Sequence, residues 1–256
     1  MTRAPVDSIA LPPFPSAEQR WVNSEPLTIG ALRGRVVLVE FWDFCRVNSL
    51  RTLPYLRAWH ERYAADGLLV VSVHTPGFRA SANDDAARGA VARLSIEHPV
   101  LLDTDYALWH EYENAGWPGR YLWTAEGTLF DYHYGEGDYG ECERAICELL
   151  DTECVPLEPF SPADEPGARF APPTPDRLQE PFSGPYEAGA AWAVLEPAAG
   201  GGSVEVNGTM LSVEHTGVHP LAEHGVHTHA ELELTLGPGV RCDAVCFTPG
   251  LLASST

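Results

Sequence analysis

VVLVEFWDFCRVNSLRTLPYLRAWHERYAADG, residues 36 to 67, decides the fold. VVLVEFW (36 to 42) is a short apolar run rich in β-branched residues, the composition of a strand buried on both faces. The stretch after it carries Leu50, Leu53, Leu56 and Tyr63 at helical intervals and stops at Gly67, a suitable C-terminal cap. LLVVSVH (68 to 74) is a second buried strand, and the Ala-rich DDAARGAVARL predicts a helix that closes a βαβ unit.

Working outward, HPVLLDTD reads as a short strand, RYLWTAEGTLFDYHYG as a hairpin turning at Glu126-Gly127, and EGDYGECERAICELL as a last helix. This order predicts an α/β domain over residues 1–155, a central mixed sheet with helices on both faces. Between Pro156 and Pro185 stand nine prolines and few apolar runs, the pattern of a semi-extended linker over 156–185. Residues 186–256 change to short alternating segments (AAWAVLEP, GGGSVEVNG, TMLSVEH, THAELELTL, VRCDAVCFTPG) and predict a small antiparallel β-sandwich of about five strands or slightly more.

At 256 residues and 45% hydrophobic, the chain can bury one sizeable core and a second small one. Its formal net charge is -20 and all sixteen basic residues are arginine, with no basic stripe to neutralise phosphates. Nucleic acid and membrane are therefore not expected partners. No N-terminal apolar run has signal-peptide length and no later window approaches a membrane span, so a cytoplasmic location is expected. Six cysteines in a reducing compartment read as free thiols rather than a disulfide framework.

With these elements laid out, the first domain resembles the thioredoxin-like proteins of the TlpA and DipZ type. The resemblance rests on WVNSEPLTIGALRGRVVLVEFW, LRTLPYLRAWHERYAADGL, VHTPGF and NAGWPGRYLWTAEG, the last with Trp117-Pro118 where the family carries its cis-proline. VEVNG, LAEHGVHT and CFTPG likewise resemble the β-rich module that follows thioredoxin in DipZ-like proteins. The family site is Trp, three residues, Cys-x-x-Cys, then Leu-Arg-Thr-Leu-Pro. Here Trp42 and the run from Leu50 to Pro54 fix the register from both sides, so Arg46 takes the nucleophile position and Ser49 the resolving position.

Dithiol exchange needs one thiolate to attack and a second to resolve the mixed disulfide, and a serine hydroxyl cannot be the second. One residue earlier stands Cys45. At the mouth of a helix beginning near Arg46, the free N–H groups and the guanidinium would favour its thiolate, leaving a single nucleophile for an oxidant or a small thiol. The alternative is a Cys45 that merely packs beside the site, as buried cysteines do. Arg46, with the N–H groups near Asn48 and Ser49 and the Ser49 hydroxyl, also forms a candidate cradle for an anionic group, against the plainer reading that it pairs with Asp43 or reaches into solvent.

The resemblance implies that Glu40 is the acidic residue beneath the site, a proton relay for a resolving thiol that this chain lacks. It implies that Trp117 and Pro118 wall a groove for an extended peptide or ligand, with Trp42 among the ligand-binding residues, and that His74 lines the pocket. The expected partners are a small thiol, an oxidant or a protein peptide. No cofactor is expected. In VHTHAELEL, alternation puts Val226 with Thr228, Ala230, Leu232 and Leu234 on one face, and His227, His229, Glu231 and Glu233 on the other. Together with His224 this offers imidazoles and a carboxylate, but a half-buried strand needs a polar outer face in any case, and no metal is expected. The function expected is single-cysteine thiol redox chemistry at Cys45 beside Arg46; the alternative is a non-catalytic pseudo-oxidoreductase that binds an anionic ligand or a peptide in the same groove.

Overall fold

The computed structural model describes residues 2–3 and 9–252. These form two compact units, one built from residues up to 77 with 82–160, the other from 78–81 with 161 onward. Among the described residues, no helix is long and apolar enough to cross a membrane.

In the first unit the strands are β1 (Thr2–Arg3), β2 (Trp21–Val22), β3 (Val36–Trp42), β4 (Leu68–His74), β5 (Val100–Leu102), β6 (Gly119–Trp123) and β7 (Leu129–Tyr134). The helices are α1 (Ile29–Leu32), α2 (Val47–Tyr63), α3 (Asp84–Arg93), α4 (Ala107–Glu111) and α5 (Tyr139–Leu150). The seven strands form one sheet in the order β1-β7-β6-β3-β4-β5-β2. β3, β4 and β5 run parallel, while β6 lies antiparallel to β3 and β7 antiparallel to β6. This is the mixed sheet the βαβ reading requires.

Every residue of β3 and β4 is buried, as their unbroken apolar runs demand. Val37, Val39 and Phe41 face one layer with Trp21, Leu108, Tyr112 and Tyr121; Glu40 faces the other, which α2 and α5 cover through the stacked rings of Tyr55 and Tyr139, 3.6 Å apart. Each fully buried Val or Leu on these strands contributes roughly 1.5–3 kcal/mol. α2 runs through Pro54 and buries Leu53, Leu56 and Tyr63 as the spacing predicts, while Leu50 is only half-buried. Gly67 has φ +109°, the left-handed conformation that turns the chain into β4.

The second unit holds β8 (Phe170–Ala171), β9 (Arg177–Leu178), β10 (Gly184–Pro197), β11 (Gly202–Val206), β12 (Thr209–Val213), β13 (Gly217–Leu232), β14 (Leu234–Leu236), β15 (Val240–Thr248) and β16 (Gly250–Leu251). A six-stranded sheet, β8-β16-β13-β10-β15-β9, and a three-stranded sheet, β12-β11-β14, share one core. Val204, Val206 and Leu234 of the small sheet pack with Ala191, Ala193, Leu195 and Val245 of the large one. Asn207 and Gly208 both have positive φ, the two-residue turn that joins β11 to β12.

More strands form than the alternating segments suggest, because β8, β9 and β16 have only two residues each and show no period, while register shifts near Ala188 and Ala191 blur the period of the long β10–β13 pair. For the same reason Val226, expected on the inner face, is 48% exposed. The proline-rich stretch is ordered on both sides of residue 160. Leu157 and Phe160 donate N–H bonds to Glu143 and to the Tyr55 hydroxyl in the first unit, and residues 161–185 supply β8 and β9 to the second. The prolines lie outside these strands: Pro172 and Pro173 follow β8 and Pro175 precedes β9, which keeps both short.

Candidate functional site

β3 ends at Trp42 and α2 begins at Val47, so Asp43, Phe44, Cys45 and Arg46 make the turn from sheet to helix. Asp43 builds that turn. Its buried carboxylate accepts the N–H groups of Cys45 (2.9 Å) and Gly77 (2.7 Å), and its own N–H donates to Ser49 Oγ (3.3 Å). Sequence reading saw Asp43 only as a partner for Arg46, because its bond to Gly77 joins segments that are distant in the chain.

Cys45 sits inside the turn at 1% exposure. Burial lowers the Arg93 guanidinium from its ordinary value, and a negative Cys45 partly offsets this, so the last residue of α3 lies within electrostatic reach of the thiol. Arg93 carries no sequence signal for this role, since only the tertiary fold brings the end of α3 to the site.

Arg46 caps α2 by position, with extended backbone and no side-chain capping bond. Its guanidinium carbon lies 4.3 Å from the centre of the Trp117 ring. Trp117 is held in turn: its indole N–H donates to the Thr75 carbonyl (2.9 Å), its ring packs 4.3 Å from Trp109, and its own carbonyl accepts from the Asn48 amide (2.7 Å). The Trp117-Pro118 peptide bond is cis. Asn48 also receives the Ser49 N–H (2.9 Å), which answers one of the free donors at the start of α2. Ser49 itself is fully buried.

The structure therefore brings Cys45, Arg46, Asn48, Ser49, Trp117 and Pro118 to one end of the sheet. Trp42 and His74 stand behind them rather than at the surface. Both are fully buried, their rings 5.7 Å apart, with Phe44 5.2 Å from His74 on another side. The expectation that His74 lines the pocket is corrected accordingly: β4 is buried along its whole length, and its last residue supports the site from beneath.

Glu40 is deeper still. It stands opposite Arg120 in the β3–β6 ladder, and both residues are fully buried. Neither Glu40 oxygen has a hydrogen-bond partner. Burial pushes its carboxyl up to about 8, with partial relief from the Arg120 charge. Arg120 donates to the Gly137 carbonyl (2.6 Å) and lies 5.0 Å from the Tyr139 ring centre. The expected acidic residue beneath the site is thus present, and burial favours its neutral form.

The turn thus sets one buried thiol beside a guanidinium and the rings of Trp117 and Trp109. No family model matches the sequence. Protein DipZ of Mycobacterium tuberculosis (strain CDC 1551 / Oshkosh) is 38% identical over 135 residues, which are 51% of this chain and only 19% of DipZ. The thiol-disulfide oxidoreductase YkuV of Bacillus subtilis (strain 168) is 26% identical over 139 residues, 53% of this chain and 90% of YkuV. Among solved structures, a thioredoxin-like protein in its oxidized form is similar at TM-score 0.50 and 26% identity, over 56% of this chain and 97% of that one. A thiol-disulfide isomerase from Corynebacterium glutamicum shares the fold at TM-score 0.50 and 21% identity, with the same coverage of 56% and 97%. The mixed sheet, the strand-to-helix turn after Trp42, the cis Trp117-Pro118 step and these likenesses give the first unit a thioredoxin-like fold, similar to that of DipZ and the thiol-disulfide oxidoreductases.

Proposed function

We propose that this thioredoxin-like protein has given up dithiol exchange and uses the former active-site region for recognition, holding an extended peptide or an anionic group against the half-buried Trp117 and Arg46, with the buried Pro118 behind them. The observation that carries this reading is the state of the two positions where the family places its thiols. Arg46 is spread over Trp117, and Ser49 is fully buried with its hydroxyl accepting the Asp43 N–H. A hydroxyl at the resolving position releases no mixed disulfide.

The test is a restoration. Wild-type protein should show no insulin disulfide reduction above a dithiothreitol background, and the double replacement Arg46→Cys with Ser49→Cys should acquire it. In parallel, peptides selected from a random displayed library should bind at least about tenfold more weakly to Arg46→Ala or Trp117→Ala, a loss of about 1.4 kcal/mol. Turnover by the wild type, or selected peptides indifferent to both replacements, would overturn the proposal.

A second reading is single-cysteine chemistry, favoured by two cations near Cys45, Arg46 beside it in the chain and Arg93 at the end of α3. The Cys45 thiolate would attack a small disulfide to give a mixed disulfide and a free thiolate, and an external thiol would be needed to release it. The 1% exposure of Cys45 weighs against this route. We also propose that the units on either side of residue 160 fold as separate domains, which limited proteolysis would test by cleavage near that boundary.

A further inference from the structure

We propose that the second unit carries a divalent-metal site of the zinc type, formed by Glu187 on β10 with His227 and His229 on β13, and opening onto a cleft. Sequence alternation set the two histidines on one face of a strand and offered them Glu233. The structure gives them a different carboxylate. In the antiparallel β10–β13 pair, Glu187 stands directly opposite His229, and His227 follows on the same face two residues along. One ligand atom from each of the three residues can be chosen so that all lie within 4.8 Å of one another. His224 is engaged elsewhere, 2.8 Å from the Tyr186 hydroxyl.

The distances suit a metal shell. His229 Nδ1 lies 3.1 Å from one Glu187 oxygen, and His227 Nε2 lies 3.5 Å from the other. Ligand atoms sharing a tetrahedral ion at zinc–nitrogen distances near 2.0–2.1 Å stand about 3.3 Å apart, so small side-chain rotations complete the set. The two imidazole rings are 5.7 Å apart and nearly perpendicular, at 77°, so that two nitrogens can address one point without the rings stacking.

The donors sit on rigid backbone. The Glu187 N–H bonds the Thr174 hydroxyl (2.9 Å), and the Glu187 carbonyl accepts the Thr174 N–H (2.8 Å). His227 is backed by β16, whose Gly250 approaches the His227 backbone so closely that a Cβ there would lie 2.8 Å from the Val226 carbonyl carbon. The His227 Nδ1 atom is buried without a hydrogen-bond partner, so no bond at that atom commits the ring to another role.

Two imidazoles and one carboxylate select a borderline ion such as zinc or cobalt over magnesium or calcium, which prefer all-oxygen shells. Three protein ligands leave a coordination position open, as in sites that bind water or an exogenous oxygen donor. A cleft of about 680 Å³ borders the cluster, lined by Pro172, Pro173, Tyr186, Glu187, His229 and Glu231. The added carboxylate of Glu231 and the overall charge of -20 both favour a cation there.

The experiment uses the full chain, stripped with a chelator, desalted and titrated with cobalt(II), followed by zinc(II) in competition. The expected result is one equivalent of cobalt with visible bands and no near-ultraviolet thiolate-to-cobalt band, displaced by zinc. Glu187→Gln and His229→Ala, both at exposed positions, should each weaken binding at least about tenfold while leaving the metal-free melting temperature unchanged. His227→Ala should do the same for binding. No binding at millimolar metal, a thiolate band, or affinity that survives all three replacements would overturn the site.

Discussion

The Arg46 guanidinium rests on the Trp117 ring, its central carbon 4.3 Å from the ring centre. The residue aligned with the nucleophile position of TlpA/DipZ-type proteins and the residue before the cis-proline are thereby joined. Such a contact is worth about 0.5–2 kcal/mol depending on its desolvation. Arg46→Ala should lower the unfolding free energy by that order, and Arg46→Lys should recover only part of it, because an ammonium lacks the planar face that stacks on indole. Urea titrations of the three proteins measure the difference. Equal stability of wild type and Arg46→Ala would mean the stack contributes nothing.

Gly77 closes the same corner. A Cβ at this position would lie 2.8 Å from Arg46 Nη2 and 2.9 Å from Asp43 Oδ2, and the Gly77 N–H is one of the bonds that hold Asp43. Gly77→Ala should therefore cost about 1–3 kcal/mol through overpacking and should shift Arg46 off Trp117. The shift is readable as a change in native tryptophan emission beyond that of Arg46→Ala alone.

Glu40 should make the protein less stable as pH rises through the neutral range. The unfolded chain gives up this proton near the ordinary value of 4.5, whereas burial keeps it on the folded chain up to about 8. Between those values the unfolded state binds fewer protons, so stability falls with increasing pH, and the loss is complete above about 8. Glu40→Gln, which has no proton to lose, should flatten that part of the profile. Denaturation midpoints across the window check this, and parallel profiles for the two proteins would contradict it.

The parts of the fold legible in the sequence are those whose residues carry the pattern themselves. β3 and β4 are unbroken apolar runs, α2 has its helical spacing, and the motif after Trp42 fixes the register of Arg46 and Ser49. The short elements α1, β2 and α4 have too few residues to show a period, and their order comes from packing on the sheet, as with Trp21 and Leu108. In the second unit, register shifts in β10 and β13 hide which side chains face inward. The site divides the same way. Cys45, Arg46, Asn48, Ser49 and Trp117 were legible from the motif, whereas Arg93 near Cys45 and Glu187 beside His227 and His229 depend on segments brought together only by folding.

The central claim is that the remodelled site runs no thiol chemistry, and alkylation of the native protein by iodoacetamide across pH, with peptide mapping to score each cysteine separately, tests it most directly. Cys45, 1% exposed, should stay unmodified while half-buried Cys246 reacts, and should label only after denaturation. Rapid modification of Cys45 in the folded protein, with an apparent pKa well below the unperturbed value of about 8.5, would contradict the account and restore the single-cysteine reading.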